Sequence, residues 1–306
     1  MRRIVAAILL TAVAAAAAAA QSAPTLRVVT EDPSLPSELF YGDVKVKPVR
    51  LRPGTNTPIT VFDNDFFVQQ QYIDFLNRFP EAGGFGAWLS ELNSCTGDEA
   101  CLGGPNGKRV QVSRSFFMSA EFQLKGYYNF RFYKAAFGRL PEYAEMTADM
   151  RAVSGSTSAE VYQKKAAYAD AFVQRGEFAA AYGSLSNDAY VAALMDRYGL
   201  QSITTNNPAS PDAGAQVTLT RAQLAAGLGD GSLTRAKVLR AVVESTQVGG
   251  AEFNAGFVAM QYYGYLRRKP EPGGYQNWLT HLNANPGDYN TMVYGFVYSS
   301  EYRNRF

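Results

Sequence analysis

Apolar positions recur at helical spacing along most of the chain, and the clearest pattern occurs twice. Across residues 66–76 they lie three and four apart, which predicts one helix with a buried face. Residues 67–93 then return as residues 257–283, with about half of the positions identical. A repeat of this length indicates a modular fold.

The residues after the first helix predict how one module is divided. Pro80 should stop that helix, and the glycines that follow should form a turn. Trp88 marks a second amphipathic helix, and a third ends near Ser119. The Ser119 hydroxyl can cap a final short helix, where Glu121 lies in the first turn and favours the helix dipole.

Two sequence signatures extend this division to the rest of the chain. The first is Tyr, three residues, Leu or Phe, one residue, Arg, one residue and Pro, and it occupies residues 72–80, 133–141 and 262–270. The second is Phe, Phe or Val, three residues, Glu, and Phe or Tyr. It occupies residues 116–122, 172–178 and 296–302, with a degenerate copy at 242–248.

These signatures predict an all-α body at residues 63–306, preceded by an extended Pro-rich segment at 21–62 with one or two short strands. The body should contain four degenerate modules, each too small to bury its own apolar stripe, so that the modules pack on one another. Their predicted bounds are about 67–122, 130–178, 182–248 and 257–302. The polar stretch 201–216 is predicted to be a loop.

The signature positions are interpreted as structural. The arginines and glutamates are either partners in bidentate ion pairs or separate caps of their own helix ends, and both alternatives stay open. Trp88 and Trp278 are expected in the core. The full set is Arg78, Glu121, Arg139, Glu177, Arg268, Glu301, Trp88, Trp278, Pro80, Pro141 and Pro270.

Composition excludes several classes of partner and of catalytic site. The chain has 306 residues, is 47% hydrophobic and carries a formal net charge of only +2, so nothing in the balance indicates nucleic acid as a partner. It has two cysteines and one histidine, His281, which excludes most metal-site and nucleophile chemistries. His281 is expected to face solvent. We assign no catalytic, cofactor-binding or metal-ligating residue.

The N-terminus has the pattern of a signal peptide at residues 1–20. Two arginines precede a short apolar run, and small residues suitable for cleavage follow. Export with cleavage is favoured over a retained membrane anchor, and no membrane span is expected afterwards. In an oxidising compartment Cys95 and Cys101 are expected to form a structural disulfide, because the spacing is not that of a redox CxxC pair.

The motifs of the first and last modules resemble the bacterial domain of unknown function 4214, of the type in secreted acidobacterial proteins. The resemblance implies an all-helical domain related in shape to phycobilisome-linker domains. It also implies an exported protein, and it brings no established activity and no catalytic residues.

The function expected is that of a non-catalytic structural or interaction module, secreted or at the cell surface, with the periplasm as an alternative location. Its partner would be an unknown protein or an envelope polysaccharide. A secreted carbohydrate-binding or carbohydrate-active protein is the alternative, and an enzyme of another class is the third. Tyr263 and Lys269 are the candidates for surface contact with a ligand.

Overall fold

The computed structural model describes residues 51–306 except 53, 156, 212 and 213, together with the backbone of three short strands before them. The predicted signal peptide, 1–20, lies outside the described residues. The chain divides into two compact units, Met1–Pro48 and Val49–Phe306.

The first unit contains a three-stranded antiparallel sheet in the order β1-β2-β3. The strands are β1 (Leu26–Val29), β2 (Glu38–Tyr41) and β3 (Val44–Val46). One or two strands were predicted here. Prolines between the strands interrupt the alternation from which strands are predicted, so the third was missed.

Helices dominate the second unit, which confirms the predicted all-α class. Within it, each predicted module has a long first helix and ends with a short one. Module one contains α1 (Asn64–Leu76), α2 (Ala82–Asn93), α3 (Glu99–Leu102), α4 (Lys108–Met118) and α5 (Ala120–Leu124). Module two contains α6 (Gly126–Phe137), α7 (Tyr143–Ala152), α8 (Ser158–Phe172) and α9 (Gly176–Tyr182). Module three contains α10 (Asn187–Asp196), β4 (Ser202–Asn206), β5 (Gln216–Thr220), α11 (Arg221–Gly229), α12 (Arg235–Val243) and α13 (Thr246–Ala251). Module four contains α14 (Phe253–Gln261), a π-helical turn (Tyr262–Leu266), α15 (Pro272–Ala284), α16 (Tyr289–Val297) and α17 (Ser300–Arg303).

Residues 201–216 are not simply a loop, as predicted. They contain β4 and begin β5, which pair antiparallel as a hairpin between α10 and α11. Ile203 and Thr205 of β4 are buried and the residues beside them are not. The strand therefore has the period-two burial of a half-buried sheet, which the surrounding Pro, Ser and Asn residues concealed in the sequence.

Proline is not what ends the first helix of a module. The helices before Pro80, Pro141 and Pro270 end four residues earlier. In each case the next residue is left-handed, with φ of 54° at Asn77, 68° at Gly138 and 51° at Arg267. This conformation closes the helix by itself, so the proline only prevents its resumption.

The apolar side chains form two cores rather than one per module. The first joins modules one and four, including Phe67, Phe75 and Phe257. The second joins modules two and three, including Phe172 and Tyr190. Helix α6 lies between them, because its neighbouring residues 127 and 128 belong to the first and the second core respectively.

A buried ion pair fastens module four to module one. The Asp74 carboxylate, on α1, is fully buried and accepts hydrogen bonds from Arg305 Nη2 at 2.8 Å and from the Tyr302 hydroxyl at 3.2 Å. Arg305 also donates to the backbone oxygens of Gly264 and Tyr265. The sequence pattern did not single out Asp74, since the equivalent residue of module four is Gly264.

Candidate functional site

The signature Arg and Glu residues bind each other. In module one, Arg78 Nε and Nη2 donate to the two carboxylate oxygens of Glu121 at 2.8 and 2.7 Å. In module two, Arg139 makes the same two bonds to Glu177 at 2.9 and 2.7 Å. Of the two alternatives that the sequence left open, bidentate pairing is therefore the one observed.

Module four repeats this geometry. Arg268 Nε and Nη2 donate to Glu301 at 2.7 and 3.1 Å. The third nitrogen of each arginine, Nη1, donates to the backbone oxygen of the next residue and to a second glutamate close in sequence. These second glutamates are Glu81, Glu145 and Glu271.

A tyrosine completes each of these units. The guanidinium carbons of Arg78, Arg139 and Arg268 lie 4.9, 5.0 and 5.2 Å from the ring centres of Tyr72, Tyr133 and Tyr262. We call each set of Arg, Tyr and two Glu a clasp. The tyrosine is the first residue of the first signature, so the sequence contains this signal, although the signature alone does not show that the ring contacts the arginine.

The clasp in module one keeps its acid ionised. Burial alone would raise the pKa of the Glu121 carboxyl. Hydrogen bonds from Arg78 and from Lys125 Nζ, at 2.8 Å, outweigh burial and hold that pKa below its ordinary value. A clasp is thus a fixed fastening between the first and last helices of a module.

The serine of the second signature caps the final helix. Ser119, Ser245 and Ser299 accept from the backbone N–H three residues later at 3.2, 3.3 and 3.0 Å. In module two Arg175 holds this position and instead pairs with Asp149 at 2.7 Å. The cap therefore survives in module three, where the clasp is lost.

Module three uses the position of the lost glutamate differently. Gln247 Oε1 accepts a hydrogen bond from the backbone N–H of Thr204 at 3.0 Å. Thr204 lies in β4, so the residue that elsewhere binds an arginine here holds the inserted hairpin.

Residues 247–306 match the family model for the domain of unknown function DUF4214. This segment contains α14 to α17 and the clasp of module four, which agrees with the resemblance seen in the motifs. Searches of curated proteins and of solved structures found no match.

The tryptophans of the DUF4214 segment and of module one are half-buried rather than fully in the core. Trp88 lies 5.6 Å from Phe116, and Trp278 lies 6.2 Å from Phe296, measured between ring centres. Each ring covers the edge of the first core and leaves part of its own surface in solvent. A rigid Trp at the rim still seals the core from water.

His281, also in the DUF4214 segment, is not simply solvated. Its Nε2 lies 3.0 Å from Asp288 Oδ2, and its ring lies 5.8 Å from that of Trp278. Asp288 caps α16 by accepting from the backbone N–H of Thr291. The Thr291 hydroxyl also donates to Asp288, and this bond is the main cause of the lowered pKa of Asp288, followed by the bond to His281. The pair links two helix ends.

The two residues predicted for surface contact hold modules together. Tyr263 is buried and donates its hydroxyl to the backbone oxygen of Pro141 at 2.5 Å. Lys269 Nζ pairs with Glu142 at 2.6 Å. Both interactions join the DUF4214 segment to module two, so the prediction for Tyr263 was wrong. Among the described side chains, the exposed large hydrophobics are Leu51 and Phe79.

Cys95 and Cys101 form the predicted disulfide, with 5.6 Å between their Cα atoms. The bridge joins the turn after α2 to the short α3. Glu99, also in α3, is bound through both carboxylate oxygens by the buried guanidinium of Arg109 at 2.7 and 2.8 Å. The loop is therefore closed twice, once covalently and once by charge.

Outside the DUF4214 match, two neighbouring cavities form what we call the groove. One measures about 150 Å³ and lies among α8, α12 and the tip of the hairpin. The other measures about 350 Å³ and lies among α8, α9 and the start of α12. They share Asp170 and Ala236 in their linings, so they lie next to each other along α8.

The groove has an apolar floor and a charged rim. Alanines of α8 and α12 form the floor, and Pro208 and Pro211 of the hairpin loop close one side. Asp170 and Lys237 line the first cavity and are exposed. Within the described part of the chain neither side chain has an ion-pair or hydrogen-bond partner, so both charges are available to a ligand.

A buried charge cluster borders the first cavity. Glu244 accepts from Lys165 Nζ and from Arg240 Nε, the latter at 2.8 Å, and all three side chains are almost fully buried. Burial would raise the pKa of Glu244, but the charges of Lys165 and Arg240 hold it below its ordinary value. Glu244 therefore serves as a fixed anion and has no proton to give near neutral pH.

Among the described residues, no cluster of three or more His, Cys, Asp or Glu has a geometry that could hold a metal ion. None of the helices described has the length and apolarity that crossing a bilayer requires.

Proposed function

We propose that this chain is a non-catalytic extracellular interaction module and that the groove is its binding surface. The observation that supports this most is where the groove lies. It lies between modules two and three, where the repeat departs most from its pattern and where the hairpin is inserted. Insertions in single repeats of a repeat protein often form its binding face.

The clasps and the groove have different roles, the first structural and the second in binding. Each clasp arginine uses all three of its nitrogens within its own module, so these repeated cations serve the framework. The unpaired charges of the groove, Asp170 and Lys237, are not repeated positions. A repeated framework that carries one surface of non-repeated residues suits a binding module, since function depends on the site and not on the fold.

The state of Glu244 favours binding over glycoside cleavage. Glycosidases need one carboxylic acid with a raised pKa beside a second carboxylate. Glu244 and Asp170 line the same cavity, but the pKa of Glu244 is lowered by two cations. The partner that we propose is a protein or an envelope polysaccharide bound without cleavage.

The extracellular location is part of the proposal. The pattern of residues 1–20 supports export, and the Cys95–Cys101 disulfide fits an oxidising compartment. A free-thiol assay on protein from the exported fraction tests this point, because two reactive thiols would contradict it.

The test is a pull-down from cell-envelope fractions and a glycan array, both with the purified exported chain. We expect selective retention of one fraction or glycan. The variants Asp170→Asn and Lys237→Gln should abolish it. Asp188→Asn, which removes an exposed acid on α10 that lines neither cavity, should not.

Two results would contradict the proposal. Retention that survives both groove substitutions would place the binding surface elsewhere. Release of new reducing ends from a retained polysaccharide would show catalysis.

A further inference from the structure

The two outer edges of the hairpin differ. The backbone N–H of Asn207 donates to Ala215 at 2.8 Å, and that of Arg221 donates to Gln201 at 3.3 Å. In an antiparallel pair the hydrogen-bonded positions alternate. Val217 and Leu219 therefore direct their backbone groups to β4.

The same alternation turns the backbone groups of Gln216, Thr218 and Thr220 away from β4. On β4, the backbone groups of Thr204 point away from β5, and Gln247 accepts the hydrogen bond from the Thr204 N–H. This bond agrees with the alternation and closes the outer edge of β4 at its centre.

The outer edge of β5 is open. The N–H of Thr220 is taken by Gln223 Oε1 at 2.9 Å, as part of the cap of α11. For Gln216 and Thr218, the described part of the chain shows no partner to the outward N–H or C=O. Both side chains are exposed.

The strand lacks the devices that usually protect an edge. Proteins guard exposed edges with lysine, proline or a bulge. The sequence of β5 is QVTLT, which has no charge and no proline, and its register with β4 is continuous. The edge can therefore accept another strand.

We infer that β5 pairs antiparallel with β5 of a second copy of this chain, about a twofold axis at Val217. This register places Gln216 of each copy opposite Thr218 of the other, and it satisfies every open group on both edges. A register centred on Thr218 would place Gln216 opposite Thr220, whose N–H is already used. The inference does not depend on a ligand in the groove.

Self-pairing fits this strand better than a foreign peptide does. The central register sets Val217 against Val217 and Ala215 against Leu219, so apolar side chains meet on the inner face. No like charges oppose each other. Because the paired edge is short, the dimer should be weak and should depend on concentration.

Sedimentation velocity of the purified exported chain over a wide concentration range tests this inference. The sedimentation coefficient should rise with concentration for the natural chain and for Thr218→Ala, which keeps both backbone groups. Thr218→Pro and Gln216→Pro should stay monomeric. Each removes an outward N–H and no backbone bond to β4, and proline is tolerated where the N–H faces solvent. The hydroxyl bond between Thr204 and Thr218 that Thr218→Pro loses is also lost in Thr218→Ala, so the two variants differ in the backbone N–H.

Hydrogen exchange on the natural chain gives a second readout that needs no variant. The amides of Gln216 and Thr218 should exchange more slowly at high concentration, while that of Thr204 should not change. A chain that is monomeric at every concentration, or a dimer with unprotected 216 and 218 amides, would overturn the inference. The proline variants should keep any envelope binding, which separates this result from a failure of the groove proposal.

Discussion

Glu145 binds Arg139 with both of its carboxylate oxygens, at 2.8 and 2.9 Å, from a repeat position that is glycine in modules one and four. Counting from the clasp tyrosine, Glu145 corresponds to Gly84 and Gly274. Because Glu145 takes over the local contact with the arginine, Glu142 is released and pairs with Lys269 of module four. One substitution within the repeat thus provides a contact between modules.

The glycine at this position is needed in the other clasps. A Cβ at Gly84 would lie 2.2 Å from the Tyr72 hydroxyl oxygen, and the Tyr72 ring is held against Phe116. Gly84→Ala should lower the free energy of unfolding by about 1–3 kcal/mol, measured by urea denaturation. Gly83→Ala is the matched control, since nothing lies within 4 Å of its Cβ, and it should be neutral or stabilising.

If Tyr72→Phe removes the clashing oxygen, the double variant should lose less stability than the sum of the two single variants. Strict additivity would mean that the tyrosine hydroxyl is not what excludes a side chain at Gly84.

The clasps should contribute to stability in proportion to their burial. The carboxylate side chain is 26% exposed at Glu121 and 50% at Glu301. Glu121→Gln should lower the free energy of unfolding by about 1–3 kcal/mol, because it leaves the nearly buried Lys125 without its anion and the half-buried Arg78 with Glu81 alone. Glu301→Gln should cost under about 1 kcal/mol, as for exposed pairs. Equal costs in urea denaturation would contradict the dependence on burial.

Much of the framework was visible in the sequence because it is repeated. The helices, the paired signatures and the disulfide follow from periodicity, from two motifs of fixed spacing and from two cysteines. Trp88 was overestimated as a core residue, since its spacing shows which face it occupies and not how deep that face lies.

The groove and the hairpin could not be predicted in this way, since they depend on single residues that are not repeated. Asp170 is one of many acids in the chain, and only the packing of α8 on α12 places it in the same cavity as Lys237. Tyr263 was misjudged because its partner, the backbone oxygen of Pro141, is far away in sequence.

Half-burial lowers the expected cost of removing the tryptophans. Full large-to-small changes in a core cost about 3–5 kcal/mol. Because Trp88 keeps part of its surface in solvent, Trp88→Ala should cost about 2–3 kcal/mol, and Trp278→Ala should cost about the same. Phe116→Ala removes the fully buried ring beneath Trp88 and should cost more. Thermal or urea unfolding measures all three, and a smaller loss for Phe116 would contradict the depth assigned to these rings.

Reduction of the disulfide should loosen one loop without unfolding the body. A bridge across six residues constrains a short loop, worth about 2 kcal/mol in the chain-entropy model. The Glu99–Arg109 pair should still hold α3 after reduction. Hydrogen exchange should increase between Cys95 and Gly104 and stay unchanged in α1. Exposure of the first core on reduction would show that the bridge supports more than its loop.

Glu252 should make stability fall as the pH rises. Burial raises the pKa of its carboxyl, although Lys134 and the Tyr198 hydroxyl partly offset this effect. In the unfolded chain the pKa of this carboxyl is about 4.3. Between that pH and the pKa of the folded state, only the folded state keeps the proton. The stabilisation is present below the unfolded pKa and is lost as the pH rises through the folded one.

Glu252→Gln keeps an oxygen for Tyr198 and removes the titration. The variant should therefore match the natural chain near about pH 4 and melt at a higher temperature than it at neutral pH. Glu121→Gln should show the opposite pH dependence. Because the pKa of Glu121 is lowered in the folded chain, the stability that its carboxylate contributes is lost as the pH falls. Melting curves of both variants across the acid-to-neutral range decide the matter: a Glu252→Gln chain that melts lower than the natural one at neutral pH would mean that its pairing with Lys134 outweighs the cost of burying the charge.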